Sequence, residues 1–187
     1  LRRRIGYASP ALAAELPPEL SARDVVVTAR HAALGPWWHR YTADDLARAD
    51  AHLARLGCDG LADRAFGTLS SGERGRVQIA RALMAEPDLL LLDEPAAALD
   101  LGARETLLDA LEGLAADPSL GAIVLVTHHL EEIPRGFTHA LVLAHGAPVA
   151  VGGIDEALGS APLGAAYGLP LEVERRAGRF TARRARS

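Results

Sequence analysis

The 187-residue sequence is about half apolar and carries a formal net charge of -4, enough apolar material for one domain with a sizeable core and no signal for polyanions, so nucleic-acid binding is not expected. No apolar run reaches the roughly 18 residues of a membrane-spanning helix, and the first residues lack the charged-then-apolar order of a signal peptide, so neither insertion nor secretion is expected. The single cysteine, Cys58, excludes an internal disulfide and a multi-cysteine zinc site.

The first residue is Leu1, and RRRIGYA over 2–8 reads as a strand, so the chain is expected to begin in mid-domain. All twenty basic residues are arginine. A phosphate-binding loop of the form Gly-x-x-x-x-Gly-Lys-Ser/Thr needs its lysine, so none is present. SPALAAELPPELSARD over 9–24 reads as a proline-punctuated loop followed by a helix from Ser21. Thr42 and Asp45 have capping-box spacing, Leu46, Leu53 and Leu56 mark an apolar stripe, and Gly57 can close that helix in a left-handed turn. Residues 20–65 are therefore expected to be mainly helical.

The stretch 66–100, FGTLSSGERGRVQIARALMAEPDLLLLDEPAAALD, is the most informative. Val77, Ala80, Leu83 and Met84 give one buried helical face, which sets Ser70, Ser71 and Gly72 at the helix N-terminus. Free N–H groups and the positive end of the dipole make such a terminus an anion site, although Ser-Ser-Gly serves equally as a plain cap. DLLLLD and AIVLVT (122–127) are short apolar runs separated by the helical pattern Leu107, Leu108, Leu111, Leu114. They read as parallel strands buried on both faces and joined by a crossover helix. The first ends in Asp93 and Glu94 and the second leads to His128, all at the carboxyl edge where open α/β sheets bind ligands. One carboxylate can hold Mg²⁺ while the next orients and polarises water. HALVLAHGAPVAVGG (139–153) reads as a hairpin around His145-Gly146, and LPLEVERRAGRFTARR (169–184) as a second one turning at Ala177-Gly178.

These segments resemble the ATP-binding subunits of ABC transporters. LSSGE looks like their signature motif, LLLLDEP their Walker B strand, AALD at 97–100 their D-loop, and VTHH at 126–129 their switch-histidine segment. The resemblance implies an α/β, P-loop NTPase-like ABC ATPase fold with a parallel core sheet and an α-helical subdomain, lacking the N-terminal Walker A portion. It covers 1–160, with 20–85 as the helical and signature subdomain, 86–160 as the Walker B to switch core, and 161–187 as a C-terminal extension. It implies that Asp93 supports Mg²⁺, that Glu94 is the catalytic carboxylate and that His128 contacts the γ-phosphate of ATP. Ser70, Ser71, Gly72 and Glu73 would contact ATP held by a second ATPase subunit, identical or not, and Asp100 would link the two sites.

The same resemblance implies an energy-coupling ATPase, peripheral at the cytoplasmic face of the cell membrane and bound to a transmembrane permease importing a metal, an iron complex or an oxyanion. The alternatives are a soluble ABC-type ATPase of DNA repair or translation, or an inactive fragment without its P-loop. Heptads and duplication, which the soluble class carries, are absent from the sequence. The chain departs from the family pattern at three places: Pro10 stands where a glutamine senses Mg²⁺ and the membrane partner, Ser71 where glycine is usual, and Glu73 where glutamine is usual, a carboxylate expected to be solvated. His128, His129, Glu131 and Glu132 could be read as metal ligands, but neighbouring strand residues point to opposite faces. Trp37 and Trp38 read as local packing or as a docking surface for the permease. The terminal RRARS reads as a solvated tail or as a contact for anionic headgroups.

Overall fold

The computed structural model describes residues 4–36, 38–97 and 99–186. They form two compact units, Leu1–His128 and His129–Ser187. The boundary read from the sequence at residue 160 thus falls within the second unit.

The first unit is built on three parallel strands, β1 (Ile5–Ala8), β2 (Leu89–Asp93) and β3 (Ala122–Val126), in the order β1-β2-β3. The pairing is continuous, Ile5 opposite Leu89 and Leu89 opposite Ala122. Between β1 and β2 the chain forms α1 (Pro10–Glu15), α2 (Ala22–Thr28), α3 (Ala43–Arg55) and α4 (Ser71–Leu83). The crossover from β2 to β3 is α5 (Leu101–Ala115). One apolar core joins Leu90 and Leu92 of the sheet, Val77 and Leu83 of α4, the α5 leucines 107, 108, 111 and 114, and Val25, Val26 and Leu53 of the helical segment. The close approach of α4 to β1 depends on Gly6, where a Cβ would lie 2.7 Å from the Ala82 carbonyl oxygen.

Two expectations are corrected here. SPALAAE is not loop: Ser9 caps α1, its Oγ accepting from Leu12 N–H, and Pro10 occupies the first helical turn. Proline fits there because its missing N–H would have had no intrahelical partner, and the alanines that follow favour helix. The parallel strands, moreover, are not buried on both faces. Gly6, Ala8, Leu90 and Leu92 face the core, whereas Ile5, Tyr7, Val124 and Val126 on the alternate positions are 37–46% exposed. An apolar run shows that a strand can be covered twice, not that the described residues supply both covers.

The helix from Thr42 forms with the full capping box, and Gly57 follows it at φ +63. The second unit has two antiparallel hairpins, β4 (His139–Ala144) with β5 (Ala147–Gly153) and β6 (Leu171–Arg176) with β7 (Arg179–Arg184), separated by α6 (Ile154–Ala157) and α7 (Ser160–Tyr167). Both turns fall where the sequence places them, with His145-Gly146 and Ala177-Gly178 all at positive φ, the type I′ geometry that matches strand twist. Val142, Ile154, Leu158, Leu163 and Phe180 make this unit's own core.

Candidate active site

Because β2 and β3 are parallel and in register, with Asp93 opposite Val126, the residues that follow both strands emerge at one carboxyl edge. Pro95 lacks the N–H a continuing strand would need, and the chain turns at Glu94, whose φ is +47. Left-handed backbone costs a non-glycine residue about 1–2 kcal/mol, and such strain concentrates at functional sites. The Glu94 N–H donates to the Val126 carbonyl at 2.9 Å, which ties the turn to β3. Across the same edge, His128 Nδ1 lies 3.1 Å from Glu94 Oε1, with both side chains partly open to solvent.

Asp93, the last residue of β2, receives a long contact of 3.4 Å from the Tyr7 hydroxyl of β1. The sequence reading does not include Tyr7 in the site. The signal that finds it is strand register: Tyr7 pairs with Leu91, two residues before Asp93, so both side chains stand on one face.

A second group of expected site residues gathers at the N-termini of α4 and α5. Ser70 and Glu73 form a reciprocal capping box, the Ser70 N–H donating to Glu73 Oε2 at 2.7 Å and the Glu73 N–H to Ser70 Oγ at 3.3 Å. Glu73 is therefore engaged in the cap and not simply solvated. The Ser70 N–H, then its hydroxyl and the Arg64 and Arg76 charges, hold the Glu73 carboxyl below its ordinary pKa. Gly72 is buried where a Cβ would lie 2.9 Å from the Ala103 Cβ, so this glycine lets α4 meet α5. Asp100 caps α5, its Oδ1 accepting from the Ala103 N–H at 2.8 Å. Ser71 lies exposed on the first turn of α4. Four of these five residues thus have an identified local structural task.

Among the described residues no group of three His, Cys, Asp or Glu side chains could hold a metal ion by itself. Trp38 is 81% exposed beside the stacked rings of His31 and His39, whose centroids are 4.4 Å apart; Trp37 lies outside the described residues. No described helix is long and apolar enough to cross a membrane.

The family model for ABC transporters matches residues 1–97. The ABC transporter ATP-binding protein YlmA of Bacillus subtilis, itself uncharacterized, is 41% identical over 173 residues, 92% of this chain and 65% of YlmA. The molybdenum import ATP-binding protein ModC of Aromatoleum aromaticum is 46% identical over 109 residues, 58% of this chain and 29% of ModC. A solved ABC transporter in an inward-facing conformation, provisionally described as of metal-chelate type, superposes with a TM-score of 0.77 at 28% identity, covering 96% of this chain and 70% of that one. The chain thus spans less than two thirds of the length of both relatives. A parallel sheet ending in adjacent acids, a capped signature helix and these matches agree, and the chain belongs to the ATP-binding proteins of the ABC transporter family.

Proposed function

We propose that this chain supplies the hydrolytic edge of an ATP-driven, energy-coupling subunit, peripheral at the cytoplasmic face of the cell membrane and paired with a transmembrane permease. The observation that carries the reading is the 3.1 Å contact between Glu94 and His128 at the shared carboxyl edge of β2 and β3. A carboxylate held through one oxygen keeps the other available to orient and polarise an attacking water. A histidine ring beside that carboxylate can donate to a terminal phosphate oxygen. Positioning of this kind supplies most of the catalysis in phosphoryl transfer.

Asp93 fits the role of Mg²⁺ ligand. Among the described residues its side-chain contact is the long one from Tyr7, and Mg²⁺ takes one or two carboxylates and fills its remaining positions with water and phosphate, so no cluster of protein ligands is required. When bound, the ion would neutralise charge on the phosphates. Ser70 and Ser71, with the α4 N-terminus behind them, would face ATP held by a second ATPase subunit. Gly72 would allow that helix end to approach, Glu73 would hold Ser70 in place, and Asp100 would fix α5 beside them. Import of a metal, an iron complex or an oxyanion is the transport reading, supported by the 46% identity with the molybdenum importer.

The test is ATP turnover by the protein with its membrane partner, compared with its Glu94→Gln form. The amide keeps the shape but not the charge, so turnover should fall by at least about 100-fold while ATP still binds. Undiminished turnover in the substituted protein would overturn the assignment.

A further inference from the structure

Between α1 and α4 lies a cavity of about 310 Å³, at the lower end of the range in which small molecules bind. The wall from α4 carries Ser71, Arg74, Gly75 and Gln78, the i, i+3, i+4, i+7 spacing of one helical face. The opposite wall is apolar, with Pro10 and Ala13 of α1, and Pro95 adds to it. The lining groups are unevenly satisfied. Gln78 is only 4% exposed, and its Nε2 donors have no partner among the described residues. The half-buried Arg74 guanidinium has no carboxylate partner among the described residues. Glu94 also lines the cavity, but one of its oxygens is engaged by His128.

We propose that this cavity binds a small organic monocarboxylate, its charge set against Arg74, an oxygen accepting from Gln78 and its apolar part against α1 and Pro95. A buried amide left without an acceptor opposes folding, and a leucine of similar size would avoid that penalty. Gly75 points the same way. A Cβ there would meet only the Pro95 carbonyl oxygen, at an ordinary 3.5 Å, so packing does not demand glycine, which is unfavourable in mid-helix; its effect is to keep the space open. The cavity shares Ser71 and Glu94 with the proposed nucleotide contacts, and its own donors are Arg74 and Gln78, which take no part in those. The presence of Glu94 in the lining limits the ligand to a single negative charge, because a second would meet a like charge.

The experiment is a titration of the 187-residue chain with acetate, butyrate, benzoate and, as a neutral control, benzyl alcohol, following the Gln78 side-chain amide by ¹⁵N–¹H NMR. Butyrate or benzoate should bind saturably, tighter than acetate and than the alcohol, and shift the Gln78 amide. Gln78→Leu and Arg74→Ala should each weaken binding at least about tenfold, the loss expected for one charge-assisted or buried hydrogen bond. Gly75→Met should fill the space and remove binding. Because Gln78→Leu relieves an unpartnered donor, its thermal midpoint should equal or exceed that of the parent, which separates lost binding from lost folding. Absence of saturable binding by any of the three acids, equal binding of the alcohol, or binding unchanged by all three substitutions would show that the cavity holds water only and overturn the proposal.

Discussion

Glu94 joins a backbone conformation that disfavours it to a side chain fixed by His128. Relief of the left-handed strain is worth about 1 kcal/mol, so Glu94→Gly should be more stable than Glu94→Ala by about that much in urea denaturation, although both remove the carboxylate. The reverse order would show that the turn is unstrained. Asp117 offers a pH-dependent counterpart. The Ser119 hydroxyl and N–H donate to Oδ1 at 2.7 and 2.8 Å, and Arg55 lies 2.6 Å from Oδ2. These contacts, Ser119 first, hold the carboxyl at about 2 against an ordinary 3.8. The unfolded chain therefore binds this proton more readily than the folded one. The stabilisation is complete above pH 4 and disappears as the pH falls from about 4 to about 2. Acid unfolding of Asp117→Asn should lack this component, and an identical acid profile for both proteins would contradict it.

The helix starts are where local chemistry and proposed function compete for the same atoms. Ser70→Ala should cost about 1 kcal/mol through the lost cap. Ser70→Asp keeps a capping oxygen and should leave the melting midpoint nearly unchanged, while placing an anion where the partner's phosphates are proposed to sit. A capped, stable protein with strongly reduced turnover is the expected outcome, and unreduced turnover would confine Ser70 to structure. At the β6-β7 turn Ala177 holds φ +49, so Ala177→Asn, which tolerates that region, should raise stability by about 0.5–1 kcal/mol. Much at this scale was legible: Thr42 with Asp45 is spaced as a capping box, and Gly146 and Gly178 mark their turns; Ser70 and Glu73 have the same spacing, but the expected solvation of Glu73 hid their box. α1 was not, because prolines 10, 17 and 18 read as breakers, and only the Ser9 cap shows that Pro10 stands in a first turn. The edge carrying Asp93, Glu94 and His128 follows from two apolar runs ending in polar residues. The left-handed Glu94 and the Tyr7 contact required backbone angles and strand register, which apolar patterning does not contain.

For the molecule as a whole, the open side of the three-stranded sheet governs behaviour in solution. Ile5, Tyr7, Val124 and Val126 form an apolar surface on alternate strand positions, and such surfaces promote association. The 187-residue chain should bind a hydrophobic dye and scatter light increasingly with concentration, and Val124→Thr with Val126→Thr should reduce both; a dye-silent monomer would contradict this. The other side of the sheet has a different consequence, which begins at Gly6. Its missing side chain lets β1 rest directly on the Ala82 carbonyl near the end of α4, while the Ser70 cap stands at the other end of the same 13-residue helix. A helix of that length is a stiff rod about 20 Å long. A force applied at the capped end is therefore delivered to the strand with little loss, as through a lever seated on its bearing. Amides of β1 and of the last turns of α4 should then exchange with deuterium at a common rate, and Gly6→Ala, by wedging the joint apart, should uncouple them.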